Sequence, residues 1–377
     1  MILGLLPAIR GGIGELAQTG QHTRLIDGYL TPYARAFDDV RYFSYLDESL
    51  ESFTTDRALL ARVHLLPGGP EHPWRYALAM PRRHAAAMRE CAVLRVFQVT
   101  GVVPALLARR RWGIPFVTTY GFHYERLART RSSALLRGLV ARLGVRAAAA
   151  VIVPTAELRD VVASQGGAAK VQLVPNGVDT RRFHPAAGSA SPRATVLYVG
   201  RLSAEKDLGT LLEAAGKLQA RFDLTVAMVG DGPERASLET KARALGVPLT
   251  FTPFVDHREL PRLYTSARAF VLPSLTEGHP KVLLEAMSCG VPCVASSVGG
   301  SRAILADGET GLLFEPGDVG GLAARLEQVL AQPDLARRLG EQARAAIVER
   351  YDLARLVDGE IELLRRVARV KGAGRLC

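Results

Sequence analysis

Short runs of apolar and β-branched residues alternate with longer segments of helical period along most of the chain, and they do so in two successive sets. A run that is too short for a buried helix, yet apolar at consecutive positions, reads as a strand covered on both faces. Such strands belong to parallel sheets flanked by helices, so the pattern predicts an α/β chain with two doubly wound sheets. The first set of expected strands covers 2–6, 40–45, 61–66, 93–99, 116–119, 149–153 and 170–174. Helices are expected over 74–89 and 127–143, with one long helix over 18–37. The second set of strands covers 195–199, 224–229, 249–252, 270–273, 292–296 and 311–314, and a closing helix is expected over 353–370.

Between the two sets, residues 184–193 read HPAAGSASPR, a Pro/Gly/Ser-rich stretch without apolar period, as expected of a surface linker. The expected organisation is therefore an N-terminal domain over 1–183, a linker over 184–193, a C-terminal domain over 194–350 and a crossing helix over 351–377. A chain of 377 residues suffices for two cores. The alternative is one large α/β domain in which 184–193 is a long surface loop.

Composition narrows the function classes. With 48% hydrophobic and 23% charged residues the chain is neither disordered nor a disulfide-stapled miniprotein. Its formal charge of +11 calls for an anionic partner: nucleic acid, a lipid surface or a phosphorylated small molecule. Lysine occurs only six times, so the excess is arginine. Those arginines are dispersed in clusters at 82–83, 109–111, 126–146 and 365–369, and aromatics are only 6%, which speaks against nucleic acid. The four cysteines form no C-x-x-C pair, which fits a reducing, cytosolic setting. The apolar start has no preceding basic region and 96–108 is too short for a bilayer, so neither a signal peptide nor a membrane span is expected.

Three motifs carry candidate chemistry. After the first strand, Gly12, Gly14 and Ala17 satisfy G-x-G-x-x-A, a pattern that lets backbone N–H groups approach a phosphate at a helix N-terminus. Read as a NAD site it would need an acidic residue about 20 positions on; Asp47 and Glu48 come later than that. A purely structural tight turn is the other reading. In the second half, Gly200-Arg201 and Lys206 follow a strand and precede a helix, which puts two cations at the edge where doubly wound sheets bind ligands. Further on, Glu277-Gly278-His279-Pro280-Lys281-Val282 leads to Glu285. The first carboxylate falls in the loop after a strand and the second in the following helix, and both can accept hydrogen bonds from sugar or ribose hydroxyls.

Taken with Asn176-Gly177-Val178-Asp179 and Gly230-Asp231-Gly232-Pro233, this order resembles the retaining GT-B glycosyltransferases of group 1 (GT4), convincingly over 150–350 and more loosely before. The resemblance implies two facing Rossmann-like domains, a C-terminal domain that binds a nucleotide-sugar, and a last helix crossing back to the N-terminal domain. It implies a donor site of Gly200, Arg201, Lys206, Glu277, Gly278, His279, Lys281, Val282 and Glu285. Within it, Arg201 and Lys206 would take the diphosphate, Glu285 the ribose and Glu277 the donor sugar. Gly12 and Gly14 would form the N-domain loop over the phosphates.

The family often carries His-Gly after the fifth strand, whereas this chain has Tyr120-Gly121 with His123 beyond, so either Tyr120 or His123 is the candidate in that place. No D-x-D occurs, and a reaction without metal is expected, with Arg201, Lys206 and helix N-termini stabilising the leaving diphosphate. No cofactor is expected. The expected partners are a nucleotide-sugar and a carbohydrate or lipid-linked acceptor, at a basic face suited to anionic membrane and not to nucleic acid. A NAD-dependent oxidoreductase and a basic nucleic-acid-binding protein are the rival readings.

Overall fold

Thirteen strands form, one for each expected run, in a computed structural model that describes residues 1–121, 131–185 and 194–373. In chain order they are β1 (Ile2–Leu6), β2 (Asp39–Phe43), β3 (Val63–Leu66), β4 (Val93–Val96), β5 (Phe116–Thr119), β6 (Ala150–Val153) and β7 (Val171–Leu173), then β8 (Ala194–Val199), β9 (Leu224–Val229), β10 (Leu249–Thr252), β11 (Ala269–Leu272), β12 (Cys293–Ser296) and β13 (Leu312–Phe314). The first seven make one parallel sheet in the order β3-β2-β1-β4-β5-β6-β7, and the last six make another in the order β10-β9-β8-β11-β12-β13. In each, the strand order reverses beside the first strand: between β1 and β4, and between β8 and β11. There the crossovers part to opposite faces and leave a crevice at the carboxyl ends of the strands.

Burial explains why the pattern was readable. Every residue of β4, β6, β11 and β12 is buried, so these strands show no polar alternation. The helical segments were less regular than expected. The expected 18–37 helix is broken by Gly20, at φ +70°, into short pieces that include a π-helical turn at Ile26–Leu30. The expected 74–89 helix divides at His84 into Pro73–Arg83 and Ala85–Glu90, and His84 instead bonds the Tyr76 hydroxyl at 2.9 Å. Of the expected linker, 186–193 lies outside the described residues.

Two compact units emerge, residues 1–175 with 355–377, and residues 176–354. The division falls eight residues before the expected end of the first domain, at 183, because 176–183 is bonded into the second unit. Val178 exchanges backbone hydrogen bonds with Tyr351 and Leu353, and the Arg344 guanidinium donates to the Thr180 and Phe183 carbonyls. The closing helix, Leu353–Ala373, belongs to the first unit from Arg355 onward.

A buried ion pair fixes that helix. Arg95 of β4 and Glu360 of the helix are 3% and 5% exposed, and the guanidinium donates to both carboxylate oxygens, to Thr119 Oγ1 and to the Val96 carbonyl. Tyr33 donates its hydroxyl to the same carboxylate. Burial, followed by the neighbouring carboxylate, pushes the Tyr33 phenol well above its usual range, so this is a phenol donating to a carboxylate. A pair this dry contributes little net stability while intact, but losing one partner strands the other. Glu360→Ala should therefore lower the unfolding free energy by about 3–5 kcal/mol. Urea denaturation followed by circular dichroism measures this, and a change under about 1 kcal/mol would mean that the pair does not hold the helix.

Candidate functional site

The second unit builds a polar cluster at its β8/β11 crevice from two loops far apart in sequence. The loop after β8 runs from Gly200 to Lys206, and the loop after β11 from Pro273 to Pro280. Lys206 Nζ donates to Glu277 Oε1 at 2.7 Å, and Ser274 Oγ donates to the same oxygen at 2.7 Å. The backbone joins them too, with Leu275 N–H donating to the Glu205 carbonyl. Both charged side chains are only partly accessible, 21% for Lys206 and 11% for Glu277. Arg201 is exposed, and its guanidinium has no hydrogen-bond or ion-pair partner among the described residues.

Glycine makes the approach of these loops possible. Gly200 lies at φ +151° and Gly230, at the end of β9, at φ +133°. A Cβ on Gly230 would stand 2.0 Å from the Gly200 carbonyl oxygen, so the strand ends can close on each other only without side chains. On the other side, a Cβ on Gly300 would lie 2.6 Å from the Glu277 carbonyl oxygen. Gly299 and Gly300 open the short Gly299–Arg302 helix after β12, and sequence reading missed them. The signal was present, as a glycine pair immediately beyond an apolar strand.

Glu285 sits differently from Glu277. It lies on the inner face of the Lys281–Ser288 helix, and its side chain is 3% exposed. His257 Nε2 lies 2.9 Å from Oε1, and the Tyr264 hydroxyl donates to Oε2 at 3.0 Å. His257 Nδ1 has no hydrogen-bond partner among the described residues, and Nε2 is the ring nitrogen that faces the carboxylate. These two groups orient the Glu285 carboxylate. The structure thus brings Lys206, Glu277, Ser274 and Arg201 to one edge, and holds Glu285 behind them, within the core. Sequence reading missed His257 and Tyr264, whose contacts depend on helix packing.

Around the pair, Gly278 is half-buried, Lys281 exposed and Val282 half-buried. His279 is buried. Its carbonyl accepts from Asn176 Nδ2 at 2.9 Å, which ties the Asn176-Gly177 motif to this loop. Burial, with a smaller contribution from Lys281, lowers its imidazole to about 4.

The glycine loop of the first unit is already filled. Gly12 caps the Ile13–Ala17 helix, and the N–H groups of Ile13 and Gly14 donate to the two Glu48 oxygens at 2.9 and 2.7 Å. Ser44 Oγ adds a third bond at 2.6 Å. An internal carboxylate thus stands where the sequence suggested a phosphate, and a NAD pyrophosphate would have to displace it. Tyr120 is 2% exposed within the core of the first unit, and its hydroxyl accepts from Gln165 Nε2 at 3.3 Å. His123 lies outside the described residues. No group of three or more His, Cys, Asp or Glu close enough to hold a metal occurs among the described residues.

Comparison with known proteins identifies the family and the fold. Residues 179–346 match the glycosyl transferases group 1 family, and residues 29–182 match glycosyltransferase family 4. The chain is 35% identical over 277 residues to a D-inositol 3-phosphate glycosyltransferase of Frankia alni, covering 64% of this chain and 67% of that protein. It is 33% identical over 269 residues to the sulfoquinovosyl transferase SQD2 of Arabidopsis thaliana, covering 67% of this chain but 52% of that one. The chain therefore spans about half to two thirds of the length of these relatives. Its fold matches that of Anabaena Alr3699/HepE, solved in complex with UDP-glucose, with a TM-score of 0.77 at 20% identity over 97% of this chain and 99% of that one. These matches define a two-domain α/β protein of the GT-B architecture. The chain belongs to the group 1 (GT4) glycosyltransferase family.

The buried His279 makes stability depend on pH. Its folded value, near 4, lies below the usual 6.5, so the unfolded chain binds the extra proton between those values. The stabilisation is complete above about pH 6.5 and is lost as pH falls through 4, by roughly 3 kcal/mol in all. His279→Gln should flatten the acid limb of the stability curve. Equal slopes for wild type and variant between pH 4 and 6.5 would contradict the assignment.

Proposed function

We propose that this protein is a retaining, metal-independent glycosyltransferase that takes a sugar from a nucleoside-diphosphate sugar and passes it to a hydroxyl of a carbohydrate or lipid-linked acceptor. The observation that supports this most directly is the Lys206–Glu277 pair at the β8/β11 switch point, together with Arg201, whose guanidinium has no hydrogen-bond or ion-pair partner among the described residues. Cleavage of an anomeric C–O bond leaves a nucleoside diphosphate, whose growing negative charge needs fixed cations. Arg201 can take two phosphate oxygens in its planar fork, and Lys206 can swing from Glu277 to a third. Glu277, relieved of Lys206 but still held by Ser274, then presents a carboxylate to donor-sugar hydroxyls. Glu285, held in place by His257 and Tyr264, is the carboxylate we assign to the ribose hydroxyls.

Attack by the acceptor hydroxyl comes from the face that the leaving group departs, and a phosphate oxygen of the donor receives the acceptor's proton. The acid/base pair of a glycosidase is not required, since no carboxylate has to protonate this leaving group. Gly12 and Gly14 join the donor site only if Glu48 is displaced. Tyr120, closed in its core, acts by holding the loop that follows β5. We place the reaction in a reducing, cytoplasmic compartment, at an anionic membrane face that the arginine excess suits, in polysaccharide or glycolipid synthesis.

A thermal-shift panel of UDP-, GDP- and ADP-sugars in chelator tests the donor class. One class should raise the unfolding midpoint by roughly 5–10 °C at about 100-fold excess over Kd, and the others should not. Lys206→Ala should lower transfer at least about 100-fold with the fold intact, and NMR of the product should show retained anomeric configuration. Wild-type turnover by Lys206→Ala, or silence of every nucleotide, would defeat the proposal.

A further inference from the structure

The Arg131–Ala147 helix is amphipathic in the wrong sense for a soluble protein. Its inner face is small: Ala141, Gly144 and Val145 are buried, and a Cβ on Gly144 would lie 2.9 Å from Val102. Its outer face carries Leu135, Leu136, Leu139 and Leu143, which are 76%, 50%, 56% and 47% exposed. At 100° per residue these four fall within one arc of about 100°, opposite the buried residues. Single exposed leucines are ordinary, but a contiguous stripe on one helix is an interaction surface.

Charge decides what covers it. Residues 131–147 contain four arginines and no acidic residue. Arg142 and Arg146 lie along the leucine arc, are exposed, and have no ion-pair partner among the described residues. Two copies of this helix laid face to face would repel, so a second copy of the chain is a poor occupant. Where the helix ends, Ala148 and Ala149 lead into an open cleft of about 660 Å³ whose lining includes Arg109, Lys170 and Arg366 and no acidic side chain. Lys170 Nζ is tied to the Arg146 carbonyl at 2.6 Å, so cleft and helix end form one surface. Leucines for an acyl layer, flanked by arginines for phosphates, are the composition of a helix that lies in a bilayer interface. No helix among the described residues is long and apolar enough to cross a membrane.

We infer that the Arg131–Ala147 helix is the element by which this protein docks on an anionic phospholipid bilayer, its leucine stripe sunk among the acyl chains and the Arg109/Lys170/Arg366 cleft facing the phosphates. This rests on the membrane-face reading above and names the residues responsible. Flotation with neutral phosphatidylcholine vesicles, and with vesicles containing about 30% phosphatidylglycerol, tests it. Wild type should float with the anionic vesicles alone. The Leu135→Ser/Leu139→Ser/Leu143→Ser variant should partition at least about tenfold more weakly, while keeping its unfolding midpoint and its nucleotide-induced thermal shift. Arg142→Gln/Arg146→Gln should weaken binding and reduce its salt dependence.

Wild-type flotation by the leucine variant would overturn the assignment of this helix while leaving the membrane reading standing. Failure of wild type to float with either vesicle would overturn both. If the leucine variant instead turned a wild-type dimer into a monomer on gel filtration, a second copy would be the occupant and the inference would fall.

Discussion

The ion pair between Lys206 and Glu277 is the contact on which the functional edge depends. At 2.7 Å the pair joins two loops that are also linked by the backbone hydrogen bond from Leu275 to Glu205. The pair can form only because β8 and β11 are neighbours in the sheet although 69 residues of chain separate their nearest ends. Loop approach then demands the glycines: Gly200 against Gly230 on one side, Gly300 against the Glu277 carbonyl on the other. A partly buried lysine that already has an acidic partner is a switchable cation. In the proposed function it exchanges one carboxylate for a more highly charged diphosphate.

Much of this was legible in the residues, for a physical reason. Parallel strands buried on both faces appear as unbroken apolar runs, and the thirteen runs fell where the sheets have their strands. The Arg201 to Lys206 and Glu277 to Glu285 spacings were legible because a ligand edge is made by loops at strand ends, and strand ends are marked by glycine and proline. Helix integrity was not legible. Gly20 and His84 interrupt segments whose apolar period continues across them, and only the backbone angle shows the break.

Side-chain direction was hidden as well. Glu48 lies more than thirty residues from the glycine loop that it caps, and nothing in its neighbourhood announces that its carboxylate folds back onto Ile13 and Gly14. Glu285 shares a motif with Glu277, yet helix phase turns it towards His257 and Tyr264. Arg95 lies inside an apolar strand run and drew no reading of its own, yet it is the buried anchor of the closing helix. The positive charge therefore has several different uses. Part is neutralised internally, part faces the crevice at β8/β11, and part flanks a leucine stripe that a summed charge of +11 does not reveal.

The central claim is that the anion of the substrate binds between the loops after β8 and β11. The most direct measurement is a crystal structure of the protein soaked with the nucleoside diphosphate that stabilises it. The account predicts diphosphate oxygens within hydrogen-bond distance of the Arg201 guanidinium and Lys206 Nζ, with Lys206 drawn away from Glu277. A diphosphate on the Gly12–Gly14 loop, with Glu48 expelled and the Lys206–Glu277 pair undisturbed, would contradict it.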